Sequence, residues 1–173
     1  MACECMGSND RCMSQRHLEW KDIEHQCKRI SDGIVHDDIS VDAIIGLSRG
    51  GLVPATMLAH RLHVREVLVH GYHSYDETTK TRDPDNVHGV MYQDVVYDLI
   101  KGLHGKQILI VDDLCDEGIT LQGLTKRLYK KFHKGAVHFY TATLYCKEHS
   151  IFKPDFVGEH CGKDWLVFPW ERT

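Results

Sequence analysis

Residues 107–121, QILIVDDLCDEGITL, constrain the fold of this chain more than any other stretch. Ile108, Leu109, Ile110 and Val111 form an apolar run of the kind that makes a strand buried on both faces, as in the interior of a parallel sheet. The run ends in two carboxylates, Asp112 and Asp113, and Asp116, Gly118 and Thr120 follow in a short turn. A helical period then sets in over 119–134, with Leu121, Leu124, Leu128 and Phe132 on one face and Gly135 at its end. A helix that starts directly after such a turn leaves its first amide N–H groups unpaired, and with the helix dipole these attract an anion such as a phosphate. Thr120 adds a hydroxyl donor, and the acid pair could hold sugar hydroxyls or a divalent cation. Open α/β sheets bind their ligands at the carboxyl ends of strands like this one. On these residues alone, a solvated acidic turn stays open as the alternative.

The rest of the chain alternates in the same rhythm. Ser14 is placed to cap a first helix running to about Asp32, with Gly33 ending it and Leu18, Trp20, Ile23, Cys27, Ile30 and Ile34 along one stripe. A strand over 42–47 leads into Ser48-Arg49-Gly50-Gly51, where paired glycines permit a close backbone approach and Arg49 offers a positive fork. That loop reads equally as an anion grip or as a tight turn into the helix over 52–63, whose first turn accommodates Pro54. A strand over 64–72 precedes the polar segment 73–86, which reads as an active-site lid or a solvated loop. A short helix over 91–103 and a strand over 136–145 complete the pattern. Strands alternating with helices predict an α/β fold with a mostly parallel twisted sheet flanked by helices. The tail after Lys147 is dense in aromatics, which by itself favours core packing over a platform for a ring.

A chain of 173 residues fits one domain, read here as 16–173 after a flexible leader over 1–15. The net charge of −4 gives no reason to expect nucleic acid or an anionic membrane as partner. No apolar run approaches the roughly 20 residues of a membrane span, and no secretory signal opens the chain. Seven cysteines without a regular framework favour reduced thiols and a cytoplasmic location. Cys3, Cys5 and Cys12 lie in the polar leader without a companion pair, which weighs against a metal site there.

Three segments carry a resemblance to a known family. VDDLCDEGIT resembles the PRPP-binding signature of the type I phosphoribosyltransferases, with Glu117 standing where that family usually has Thr. IIGLSRGGLVPA, residues 44–55, resembles the pyrophosphate loop of the xanthine-guanine branch, and the tail from Lys147 to Glu171 resembles the purine-binding end of the 6-oxopurine enzymes. The resemblance spans nearly the whole chain from Trp20 onward. It implies the family fold with a small hood and base-binding subdomain, the hood over 73–104 and the purine-binding tail over 147–173. It further implies transfer of a phosphoribosyl group from PRPP to guanine, xanthine or hypoxanthine, with Mg²⁺ as cofactor and a homodimer or homotetramer as assembly.

Residue by residue, the resemblance assigns Ser48, Arg49, Gly50 and Gly51 to the pyrophosphate, often through a cis peptide. Asp116, Glu117, Gly118, Ile119 and Thr120 are assigned to the 5′-phosphate, and Asp112 and Asp113 to the ribose hydroxyls, with Asp113 also toward the metal. It makes Asp116 the carboxylate that takes the base proton, Lys147 the donor to the purine 6-oxygen and Trp165 the stacking ring. Backbone near Trp165 and Leu166 would read the 2-position, with Glu171 on the pocket's far side. Ser74 and Tyr75 begin the hood, and Lys80 and Arg82 are candidates to meet pyrophosphate from it. A carboxylate beside a phosphate repels it, so Glu117 is expected to turn outward while its N–H still binds. Two alternatives are a regulator of the same fold that senses PRPP or nucleotide without turnover, and a transferase for another base.

Overall fold

A computed structural model describes residues 14–71, 105–132 and 137–171. The polar lid segment, Ser74, Tyr75, Lys80, Arg82, the helix expected over 91–103 and Cys3, Cys5 and Cys12 lie outside the described residues. Five parallel strands form the main sheet in the order β3-β2-β4-β5-β6: β2 is Ala43–Ser48, β3 Glu66–Gly71, β4 Lys106–Cys115, β5 Val137–Lys147 and β6 Phe156–Cys161. The strand that carries the Ile108–Val111 run and the acid pair is therefore the central one. Along β4, Ile108 and Ile110 face one layer and Leu109 and Val111 the other, all four fully buried, as the period of two requires.

Helices cover both faces. On one side α1 (Trp20–His36) and α2 (Leu52–Arg61) press Ile23, Cys27, Ile30, Ile34, Ala55 and Leu58 against Ile44, Leu109, Val111 and Leu144. On the other, α3 (Ile119–Lys131) buries Leu121, Leu124 and Leu128, with Phe132 following, against Ile45, Ile108, Ile110 and Phe139. Burial of a leucine of this size stabilises by about 1.5–3 kcal/mol relative to leaving it in water. Packing rather than helix propensity thus fixes α3 over the sheet.

Three details depart from the sequence reading. Ser14 does not cap α1: residues Gln15–His17 form a short strand, β1, parallel to β7 (Trp165–Val167). The cap is Glu19, in a reciprocal capping box with Asp22. Gly33 does not end the helix, which continues to His36; a Cβ at Gly33 would lie 3.4 Å from the Phe156 ring, so the glycine sits at a close helix–sheet contact. Trp20 is 56% exposed rather than part of the apolar stripe, with its ring beside Trp170.

β1 is held by side chains as well as by its ladder. Arg16 pairs with Glu159 of β6 through two hydrogen bonds and lies over the Tyr145 ring, while Gln26 of α1 donates to the same carboxylate. Cys27, Cys115, Cys146 and Cys161 are buried free thiols, and burial pushes Cys27 and Cys115 up to about 12. Among the described residues no helix is long and apolar enough to cross a membrane.

Candidate active site

The site is built at the carboxyl ends of β2, β4 and β5. β2 and β4 lie side by side in parallel register, so the loop after Ser48 meets the acid pair at the end of β4. The Ser48–Arg49 peptide is cis. Gly50 lies so close to the acids that a Cβ there would be 1.8 Å from Asp113 Oδ2 and 2.3 Å from its Cγ. No residue larger than glycine fits that approach without displacing the carboxylate. Arg49 is exposed at the loop tip.

Asp112 and Asp113 belong to β4 itself, which runs four residues past the apolar stretch to Cys115. Asp112 Oδ1 accepts the Asp113 N–H at 3.0 Å, and Asp113 Oδ1 accepts the Leu114 N–H at 2.8 Å. Burial, and then the neighbouring Asp113, hold the Asp112 carboxyl well above the usual carboxylate range, and burial raises Asp113 as well. Two desolvated carboxylates side by side are a poor arrangement for stability and a good one for binding a cation or a row of hydroxyl groups.

The pair has a testable cost. A carboxyl whose folded-state pKa is raised contributes stability that is fully present below its unfolded value of about 3.9 and is lost as pH rises through the folded value. At neutral pH the desolvated Asp112 therefore opposes folding. Asp112→Asn, whose Oδ1 can still accept the Asp113 N–H, is expected to be more stable than the wild type at pH 7 by about 1 kcal/mol. Measured without metal or substrate, that is a rise of roughly 2–4 °C in Tm. The gain should disappear as pH falls toward about 4; a lower Tm at pH 7 would contradict this account of the pair.

Beyond β4 the chain turns through Asp116, Glu117 and Gly118 into α3. Gly118 has φ of 85°, and a Cβ there would lie 2.6 Å from both Ser150 Oγ and the Phe152 Cβ. Its backbone angle and its surroundings both demand glycine. Asp112, Leu114, Cys115, Asp116, Glu117, Gly118, Ile119, Thr120 and Leu121 enclose a cup of about 110 Å³ at the helix N-terminus. Glu117 is exposed and lines this cup, and its carbonyl accepts the Ile151 N–H at 3.1 Å.

A second cavity, of about 570 Å³, adjoins the cup through Leu114 and Asp116. Its walls bring together Asp113, Asp116, Lys147, Trp165, Leu166 and Glu171, six residues singled out from sequence. Lys147 ends β5, is 6% exposed, and donates from Nζ to the Asp164 carbonyl. Trp165 is 60% exposed, whereas its neighbours Leu166 and Phe168 are buried in the core. The aromatic tail therefore divides into packing residues and a single exposed ring at the cavity wall. Glu171 Oε2 accepts the Phe168 N–H at 2.9 Å, tying down the last turn.

The sequence reading missed two participants. His149 Nε2 lies 3.1 Å from Asp116 Oδ1, and Asp164 anchors Lys147 through its carbonyl while its carboxylate accepts the Ser14 hydroxyl. Their only advance signal was proximity to Lys147 and Trp165 in the chain.

A parallel α/β sheet with a cup at a helix N-terminus, an acid pair on the preceding strand and an adjoining cavity lined by a lysine is an arrangement suited to a phosphate-bearing ligand. The Phosphoribosyl transferase domain model matches residues 16–171. The xanthine-guanine phosphoribosyltransferase of Ruegeria sp. (strain TM1040) is 32% identical over 164 residues, covering 91% of this chain and 85% of that protein. The xanthine-guanine phosphoribosyltransferase of Idiomarina loihiensis is 35% identical over 130 residues, covering 74% and 70%. Among solved structures, the purine phosphoribosyltransferase from Pyrococcus horikoshii Ot3 superposes with a TM-score of 0.69 at 26% identity, covering 93% of this chain and 96% of that one. The chain belongs to the phosphoribosyltransferase family and is an enzyme of that class.

Proposed function

We infer that this enzyme moves the 5-phosphoribosyl group of PRPP onto a ring nitrogen of a 6-oxopurine, releasing pyrophosphate and a nucleoside monophosphate for purine salvage. The observation that carries this reading is Asp116, which walls both the anion cup and the Lys147–Trp165 cavity. A ribose with its 5′-phosphate in the cup would present C1′ toward a base lying in that cavity.

In the reaction the bond from C1′ to the pyrophosphate oxygen breaks, its electron pair leaving with pyrophosphate, and a bond from the base N9 to C1′ forms. The proton on N7 passes to the Asp116 carboxylate, so the product base is neutral. C1′ is cation-like between these events, and donors aimed at the departing oxygens lower the barrier. Arg49 and the Gly50 amide would supply them, whereas the Gly51 N–H, also assigned to the pyrophosphate from sequence, is taken by the Leu47 carbonyl at 2.9 Å. The acid pair suits a hard divalent cation by its donor chemistry. Two carboxylates cannot fill the six-oxygen shell Mg²⁺ demands, so substrate oxygens and water would complete it. Asp113 would be its protein ligand, and the ion would neutralise charge developing on pyrophosphate.

Selectivity would lie with Lys147. An ammonium only donates, so it suits a 6-oxo group and opposes the 6-amino group of adenine. Lys147→Gln can still reach a carbonyl through its amide but lacks the charge. It is expected to lower kcat/KM for guanine by roughly 10- to 100-fold, the worth of a charged hydrogen bond, and to narrow the preference for guanine over adenine. Steady-state assays with each base check this; an unchanged preference would place the 6-position elsewhere. We place the reaction in the cytoplasm on the strength of the buried reduced thiols, and family likeness favours a homodimer or homotetramer.

A further inference from the structure

The turn after β5 carries a residue with no role so far in the reaction. Lys147, Glu148, His149 and Ser150 form a tight reversal in which the Ser150 N–H donates to the Lys147 carbonyl at 3.0 Å and the Glu148 N–H to the Cys161 carbonyl at 3.1 Å. One contact locks this turn to the turn after β4 and a second locks it to the last residue of β4. The Ile151 N–H donates to the Glu117 carbonyl at 3.1 Å, and Ser150 Oγ lies 3.2 Å from Cys115 Sγ. Gly118 closes the remaining gap, since any Cβ there would strike Ser150 and Phe152. The two turns are thereby held in one register, with His149 on one and Asp116 on the other.

Across that seam His149 Nε2 stands 3.1 Å from Asp116 Oδ1, and both residues line the larger cavity. The other charged groups at that cavity are Asp113, Lys147, Lys163, Asp164 and Glu171. Among the described residues His149 is the only side chain hydrogen-bonded to Asp116. A carboxylate only accepts, so the contact places the imidazole proton on Nε2.

Resting on the transferase reading above, we propose that His149 is a positioning residue for Asp116: its Nε2–H occupies Oδ1 and fixes the carboxylate so that Oδ2 receives the proton from the base. A carboxylate on an exposed turn otherwise rotates freely about χ2. Fixing it converts a chance encounter with the base N–H into a preset one, and catalytic groups owe much of their effect to such placement. The imidazole itself neither gains nor loses a proton over the cycle.

The test compares His149→Leu, which removes the donor at similar size, with His149→Gln, whose amide nitrogen can stand where Nε2 does. Single-turnover rates with guanine, PRPP and Mg²⁺ should fall about 10-fold in His149→Leu while the KM values for both substrates stay within about twofold. His149→Gln should retain most of the wild-type rate. Separately, imidazole ¹⁵N shifts of the substrate-free protein should show His149 locked as the Nε2–H tautomer, and Asp116→Ala should release it to a mixture. A wild-type rate in His149→Leu, an equal loss in both variants, a loss confined to KM, or a tautomer mixture in the unmodified protein would each overturn the proposal. An unmodified protein inactive toward every base yet holding the locked tautomer would instead refute the transferase reading while leaving the dyad standing.

Discussion

Gly50→Ala is expected to lower kcat/KM by at least about 100-fold, since a misplacement near 1 Å at a reacting centre has that effect. The added methyl would lie 1.8 Å from Asp113 Oδ2 and 2.7 Å from Oδ1, with the carboxylate carbon between them at 2.3 Å. Asp113 cannot simply swing aside, because its Oδ1 accepts the Leu114 N–H at 2.8 Å and its neighbour Asp112 is hydrogen-bonded to the same stretch of backbone. Either that bond breaks or the loop after β2 lifts away from the sheet. Both outcomes separate the loop after β2 from the acids beneath it. The sheet core, formed by Ile44, Ile45, Ile108 and Ile110, lies behind the loop and is untouched. The variant should therefore fold, with near-native circular dichroism, while its steady-state rate collapses. Wild-type activity in Gly50→Ala would mean that the close approach of loop and acid has no part in the reaction.

Asp116→Asn should produce a comparable loss through a different quantity. General-base catalysis by a positioned carboxylate contributes about 10²- to 10⁴-fold, and an amide of the same shape keeps the geometry while losing the basicity. The loss is expected in kcat, with KM for PRPP changed by less than about threefold, because the phosphate donors we propose for the cup are backbone amides and Thr120 rather than this side chain. Single-turnover kinetics separates this chemical effect from product release. If Asp116→Asn instead raised KM for PRPP and left kcat unchanged, the carboxylate would belong to substrate binding.

The central strand, the turn and α3 were legible almost residue by residue. Leu121, Leu124, Leu128 and Phe132 were placed on one face by period alone, and all four are buried. Local pattern suffices there because a doubly buried strand and an amphipathic helix each state their own environment. Lys147 came from the family resemblance, as did Trp165, and the structure brings both to the wall of one cavity. What local pattern could not convey was pairing over long distances. Gln15, Arg16 and His17 have no strand signature, and become a strand only because Trp165–Val167 lies alongside. Gly33 carries a helix-stop signal that the Phe156 ring overrides by packing directly on it. The His149–Asp116 contact joins residues 33 positions apart through two interlocked turns, and no spacing in either turn announces it.

The most direct measurement of the central claim is formation of nucleoside monophosphate from PRPP and Mg²⁺ with guanine, xanthine, hypoxanthine and adenine, supplied one at a time. Lys147 at the wall of the Asp116 cavity predicts product from the oxopurines, with adenine slower by at least about 100-fold. Product from adenine at a similar rate would contradict the reading of Lys147, and PRPP binding without product from any base would make this protein a sensor rather than a transferase.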